Sequence, residues 1–288
     1  MKEGVHNIPH ADYLADPCPS PSLSSGNAAI LCTQSPRHAW QAHPRLNPQY
    51  REEEDSKFDR GTAAHEFLLG GPNRVVTVEA DDWRTKAARE QKIAIRAEGK
   101  LPLLARHFED VQKMVEVAKL ALNECEDLDG YRFDAGKTEQ TLIWQEDGLW
   151  FRARPDWMSH DRKLIMDYKS TGTSAEPNAW IRTMLGMTGE IQPAFYLWGN
   201  NQTGAPGGAQ FVFLVQENEP PYACSFIGMP PAFIDLGNRK VAYAMRLWRQ
   251  CLDSGQWPGY PSRIAWAEPP IYAVAQWEEK ELANDDQL

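Results

Sequence analysis

Two neighbouring runs with two-residue alternation do most to limit the folds open to this chain of 288 residues. In residues 164–169, Ile165, Asp167 and Lys169 fall on one face and Leu164, Met166 and Tyr168 on the other, the period of a strand. Residues 149–158 read the same way, with Arg152, Arg154 and Asp156 on one face and Phe151, Ala153 and Trp157 on the other. The polar segment Ser159, His160, Asp161, Arg162 between them is turn material, so the two runs are expected to pair as a hairpin. That pairing brings together Asp156 and Asp167, 11 positions apart, with Lys169 beside them at a sheet end.

Two carboxylates and an ammonium in one place suit a metal-dependent phosphodiesterase. Mg²⁺ takes oxygen ligands and binds through a few carboxylates, waters and substrate phosphate. A neighbouring lysine can orient or help deprotonate the attacking water and stabilise charge on the phosphate. Short motifs of this kind also arise by chance in acidic chains, so their context decides. Upstream, residues 138–144 read as a further strand followed by the turn Gln145, Glu146, Asp147, Gly148, and Glu139 is either another ligand or a solvated edge charge. Downstream, Pro177 starts a helix expected to reach about Trp198, with Gln192 and Tyr196 on one face and Gly186 and Gly189 weakening its middle. Arg152 and Arg154 share the acid-bearing face and are either solvated strand charges or guanidinium groups placed to meet phosphate.

These blocks carry a resemblance. Arg154-Pro155-Asp156, Asp167-Tyr168-Lys169-Ser170-Thr171 and Gln192-Pro193-Ala194-Phe195-Tyr196 resemble the PD-(D/E)xK nuclease superfamily, in the exonuclease branch related to the RecB nuclease domain. The segment from Gly61 through His65 to Leu69 is similar to the helix that carries a metal-site histidine in that branch. Tyr13-Leu14-Ala15-Asp16-Pro17, Leu23-Ser24 and Ser35-Pro36-Arg37-His38 resemble the N-terminal part of the exodeoxyribonuclease VIII-type domain of phages and prophages. The resemblance implies an α/β, restriction-endonuclease-like core, a mixed central sheet flanked by helices, with a helical N-terminal elaboration. It implies that Asp156 and Asp167 bind metal, that His65 completes the ligand set, and that Lys169 assists the nucleophile. Glu139 stands where relatives often keep an acid, and Gln192 and Tyr196 match a motif that lies beside the site and touches substrate. The activity implied is exonucleolytic hydrolysis of linear duplex DNA with Mg²⁺, or Mn²⁺ in its place, in the 5′-to-3′ direction. The implied setting is phage-type recombination, as a ring-like homo-oligomer working with a single-strand annealing protein. A restriction-type or structure-specific endonuclease on the same fold, and a non-catalytic DNA-end-binding module, remain alternatives.

With 42% hydrophobic residues, the chain can bury a substantial core, and one elaborated domain is expected. The expected organisation is an N-terminal arm over 1–56, a nuclease domain over 57–270 and an acidic tail over 271–288. No run of about 18 apolar residues occurs and Met1 opens no apolar signal segment, so no membrane association and a cytoplasmic location are expected. The 5 cysteines form no C-x-x-C pair, which speaks against a zinc ribbon or an iron–sulfur cluster. A net charge of −10 is wrong for a protein that coats DNA, although much of the acid lies in 52–55 and 278–286. Arg84, Lys86, Arg89, Lys92 and Arg96 fall on an expected helix, where each either lines a DNA channel or, as is commoner for any single one, belongs to a solvated face. No G-x-x-x-x-G-K loop is present, so ATP hydrolysis is not indicated. Helices are expected near 58–70, 83–98, 103–124 and 231–252, strands over 210–216 and 222–229, and a three-stranded meander over 138–169. A loop is expected over 199–208, and an extended cover beyond 257–261.

Overall fold

Pro155 has no backbone N–H and cannot continue a ladder, so the run expected as one strand over 149–158 is broken at Arg154-Pro155-Asp156. In the computed structural model, which describes residues 1–51, 59–69, 75–128 and 136–285, the two pieces belong to different sheets. The acidic run at 52–55 lies outside the described residues. In chain order the elements are β1 (Gly4–His6), α1 (His10–Leu14), β2 (Ser22–Leu23), α2 (Ser25–Thr33), α3 (Pro36–Gln41) and α4 (Asp59–Leu69). Next come β3 (Val75–Val78), α5 (Lys86–Ala97), β4 (Leu101–Leu104), α6 (Phe108–Glu124), β5 (Gly136–Thr138), β6 (Thr141–Glu146), β7 (Leu149–Ala153), β8 (Trp157–Ser159) and β9 (Leu164–Thr171). The chain continues through α7 (Pro177–Gly186), α8 (Ile191–Gln202), β10 (Gln210–Glu217), β11 (Cys224–Gly228), α9 (Pro231–Ser254) and α10 (Ile271–Asp285).

The central sheet is mixed, in the order β11-β10-β9-β8-β5, with β9 and β10 parallel and the other pairs antiparallel. A second sheet has the order β1-β6-β7-β2, and β3 pairs with β4 separately. The expected hairpin exists as β8 and β9, with Trp157 opposite Met166 and Met158 opposite Ile165. The expected three-stranded meander does not, because the chain changes sheets at Glu139-Gln140 and again at Arg154-Pro155-Asp156. Glu139 has φ near 50°, a left-handed conformation that a non-glycine residue rarely adopts outside constrained sites.

Alternation along β9 sorts its side chains between two cores. Ile165, with Met158, Phe211, Phe213, Val215 and Ile227, packs into a large core shared with α7, α8, α9 and the second sheet. Leu164, Met166 and Tyr168, with Trp157 and Leu214, pack into a second core with α4 and α6. The central sheet is therefore flanked by helices on both faces, an α/β arrangement as expected. Packing of α8 on α9 depends on Gly237, where a Cβ would stand 2.3 Å from the Glu190 carbonyl oxygen.

Several helix boundaries differ from expectation for local reasons. The helix expected to run from Pro177 to Trp198 is two helices, because residues 187–190 turn the chain and Thr188 takes φ near 55°. The second continues to Gln202, into the expected loop. Residues 103–107 are the end of β4 and a 3₁₀ turn (Ala105–His107) leading into α6. Beyond Pro258 the residues form a separate unit that carries α10, where an extended cover was expected. In that unit Trp266, Ile271 and Tyr272 are exposed. Among the described residues, no helix is long and apolar enough to cross a membrane.

The N-terminal residues are held by a buried polar cluster. Asp16 accepts hydrogen bonds from Ser22 N (2.9 Å) and Ser22 Oγ (2.7 Å), with His43 Nε2 at 3.3 Å and Arg152 Nη1 at 3.5 Å. Burial alone would raise its pKa, but the His43 bond, the Arg152 guanidinium and Ser22 together hold it down to about 2. A carboxylate depressed in the fold adds stability above its unfolded value near 4, and that stability is lost as pH falls through about 2. Asp16→Asn is accordingly expected to destabilise by about 2 kcal/mol at neutral pH, with the difference in urea midpoint shrinking as the medium is acidified toward pH 2.

Candidate active site

The break at Pro155 leaves Asp156 at the entry to β8, beside the middle of β9, where the sequence placed it. Its Oδ2 accepts a hydrogen bond from the backbone N–H of Tyr168 (2.8 Å), which ties it to the residue between Asp167 and Lys169. Its Oδ1 meets His65 Nε2 at 3.1 Å. His65 arrives from α4, and α4 can lie close to β9 because residue 61 is glycine: a Cβ there would stand 2.1 Å from Ser170 Oγ.

Asp167 is 1% exposed, and its Oδ2 forms an ion pair with the Lys169 ammonium, on the same side of β9. Its Oδ1 accepts from Gln192 Nε2 at 2.8 Å, so α8 delivers Gln192 to the acid directly. Tyr196, one turn further along α8, is buried, and desolvation pushes its hydroxyl pKa well up, with the Tyr13, Asp167 and Asp156 charges adding to the rise. The structure thus brings His65, Asp156, Asp167, Lys169, Gln192 and Tyr196 into one cluster.

Electrostatics separate the two acids. Burial raises Asp167, and repulsion from Asp156 raises it further, more than Lys169 lowers it, to about 6. Asp156 is also penalised by burial, yet the His65 and Lys169 charges and the Tyr168 N–H outweigh that and hold it below the usual range. Burial alone would lower His65 and Lys169, but Asp156 raises His65 and the two carboxylates raise Lys169. Lys169 is therefore an ammonium at neutral pH, a donor and not a base.

Glu139 borders this cluster, and its charge contributes to raising His65. Its backbone N–H donates to the Asp156 carbonyl oxygen (2.9 Å), and its Oε2 accepts from Arg154 Nη2 (3.3 Å). The expectation for the arginines needs correction. Arg152 and Arg154 are 5% and 9% exposed, and their guanidinium groups are turned inward. Arg152 donates to Ser22 O (2.9 Å) and Ser22 Oγ (2.6 Å), and Arg154 to Ile8 O (2.9 Å) and Thr141 Oγ1 (3.1 Å). The Tyr13 ring lies against both, 5.5 Å from the Arg152 guanidinium carbon and 5.9 Å from that of Arg154. Strand alternation fails to identify Ile8, Tyr13 and Ser22 as partners because no local pattern connects the N-terminal residues to β7 and the residue after it.

Two of the candidate channel residues are engaged within the protein. Lys92 is buried with its ammonium 4.7 Å from the Trp83 ring centroid, and Arg84 Nε donates to Asp82 (2.6 Å).

Among the described residues no three His, Cys, Asp or Glu side chains are already gathered at ligating distance. The acids are closed onto His65, Lys169 and Gln192 instead. In kind the donors suit a divalent cation: oxygen donors from carboxylates, one imidazole, and two acids whose mutual repulsion added positive charge would relieve.

A family model described as a PDDEXK-like domain of unknown function (DUF3799) matches residues 33–268. No curated protein matches the chain in sequence. A provisionally named exonuclease from Eubacterium rectale shares the fold, with a TM-score of 0.61 at 11% identity over 93% of this chain and 98% of that one. A phage-related exonuclease from Haemophilus somnus 129PT is 15% identical over 67% of this chain and 95% of its own, with a TM-score of 0.28. An alkaline exonuclease from Laribacter hongkongensis is 18% identical over 66% and 96%, with a TM-score of 0.26. Scores at the level of these last two do not bear on the fold.

Proposed function

The chain belongs to the PDDEXK-like DUF3799 family, and we propose that it is a metal-dependent DNA nuclease acting as an exonuclease on linear duplex ends. The observation that carries this reading is the continuous cluster of His65, Asp156, Asp167, Lys169 and Gln192, in which a lysine that is an ammonium at neutral pH stands beside two acids of separated pKa. Asp156, Asp167 and His65, with Glu139 at the border, would hold Mg²⁺ or Mn²⁺. When bound, such an ion activates water at neutral pH and offsets charge on the scissile phosphate.

The chain's own groups have distinct parts. Tyr168 N–H and His65 fix the two oxygens of Asp156. Gln192 fixes Oδ1 of Asp167, leaving the carboxylate little rotational freedom. Lys169 keeps its proton, so it serves by donating to the attacking water or to a phosphate oxygen and by stabilising negative charge as it develops. Tyr196 remains a neutral phenol and acts as a hydrogen-bonding wall of the site.

Incubating the protein with linear and covalently closed circular duplex, with Mg²⁺ or with EDTA, tests the proposal. Mg²⁺-dependent release of mononucleotides or short fragments from the linear form alone is expected. Cutting of the circle would transfer the reading to an endonuclease, and no cutting of either would remove it. End-labelled strands report the 5′-to-3′ direction proposed from the family resemblance.

Metal binding is also expected to release protons. Asp167, raised to about 6, and His65, raised by the neighbouring Asp156, both carry protons at mildly acidic pH and must lose them to ligate. Apparent Mn²⁺ affinity should therefore strengthen as pH rises through 6 and level off in alkali. Calorimetry in buffers of different ionisation enthalpy checks this, and pH-independent affinity would contradict the ligand roles.

The family resemblance extends the proposal to a ring-like homo-oligomer and a single-strand annealing partner in phage-type recombination. A net charge of −10 agrees better with enclosing DNA than with coating it. Light scattering after size exclusion reads the assembly.

A further inference from the structure

We propose that Arg154 is a positioning residue that holds Glu139 toward the metal-binding acids, and that the N-terminal segment takes part in the active site through it. This rests on the nuclease reading of the site and concerns groups which that reading leaves without a role. Arg154 stands two residues before Asp156 and is almost wholly buried, so it cannot swing out to meet a DNA phosphate without leaving three partners. One is Glu139 Oε2 at 3.3 Å, and the others are Thr141 Oγ1 at 3.1 Å and the Ile8 carbonyl oxygen at 2.9 Å.

Glu139 has a further constraint. Its backbone is in the left-handed region and its N–H is bound to the Asp156 carbonyl oxygen at 2.9 Å, so the main chains of the two acids are locked together. What remains free is the direction of the Glu139 side chain. Arg154 supplies that direction from one side, and Glu139 in turn lies close enough to His65 for its charge to act on the imidazole. Ile8 and the Tyr13 ring fix the guanidinium from the N-terminal side. Partners that orient a ligand in this way commonly change metal affinity by about 10–100-fold when removed.

Mn²⁺ affinity, read by calorimetry, and duplex affinity, read by anisotropy in EDTA, separate positioning from phosphate binding. For Arg154→Met the expected result is Mn²⁺ binding weaker by about tenfold or more, with duplex affinity unchanged. Arg154→Lys should recover part of the loss, and Arg154→Met combined with Glu139→Gln should bind Mn²⁺ no more weakly than Glu139→Gln alone. Should Arg154→Met fail to fold, Arg154→Lys and Glu139→Gln, singly and together, carry the same comparison. A change in Mn²⁺ affinity below about threefold, additive losses, or weaker duplex binding with a smaller salt dependence overturns the proposal. A wild-type protein that cleaves DNA while Glu139→Gln binds Mn²⁺ normally removes this inference and leaves the nuclease reading. One that neither binds Mn²⁺ nor cleaves removes both.

Discussion

Asp167→Asn should abolish cleavage while making the metal-free protein more stable. The carboxylate is 1% exposed and repelled by Asp156, and its pKa rises from 3.8 to about 6 despite the Lys169 ammonium. A raised carboxyl binds more protons folded than unfolded, so stability is lost as pH climbs from about 4 through 6 and stays lost above that. At pH 7.5 the amide variant escapes this and should gain about 1–3 kcal/mol. Near pH 4, where the wild-type acid is largely protonated in the fold, the gain should vanish. Added Mn²⁺ should raise the melting temperature of the wild type and leave the variant unmoved, because binding to the native state alone stabilises it. Thermal melts at the two pH values, with and without Mn²⁺, check all three outcomes. A variant that is less stable than wild type at pH 7.5 without metal would mean that the lost Lys169 pairing outweighs the relief of burial and repulsion. A site that discards stability for chemistry is expected where acids must be ready to meet a cation.

Lys169→Met separates chemistry from binding. Methionine keeps the length of the aliphatic stem and removes the ammonium, so the packing beside Phe213, whose ring centroid lies 5.8 Å from Nζ, changes little. The expected loss in cleavage rate is about 10²–10⁴-fold, the range for removal of one charged or proton-handling group. Mn²⁺ binding should survive, because lysine is no ligand, and at neutral pH it should require release of more protons. Without the ammonium the two buried acids repel more strongly and hold a proton to higher pH. Single-turnover cleavage and calorimetry on the same preparation decide this. Equal loss of metal binding and of rate would assign Lys169 to holding the acids in place and not to the reaction.

Local pattern carried different parts of this protein unequally. The two-residue period in 164–169 assigned each side chain of β9 to its face, because a strand half in each of two cores must alternate. Polar turn residues identified the hairpin of β8 and β9, and with it the approach of Asp156 to Asp167 and Lys169. The four-residue spacing of Gln192 and Tyr196 was enough to place both on one face of α8. The same period could not show that Arg152 and Arg154 are taken up by internal acceptors and not by phosphate. Alternation reports the side of a strand on which a residue lies, and not which later or earlier part of the chain covers that side.

By itself, then, the sequence determined the central hairpin, the acids and lysine on it, and the shared helix face of Gln192 and Tyr196, since each depends on residues near one another along the chain. Only the tertiary structure decided that the strands on either side of Pro155 join separate sheets, that Ser22, Ile8 and Tyr13 occupy the guanidinium groups of β7 and its end, and that His65, which the family resemblance assigned to the site, meets Asp156 directly over Gly61. Those contacts join positions 91 to 146 residues apart, where no periodicity survives and only close packing selects the partner.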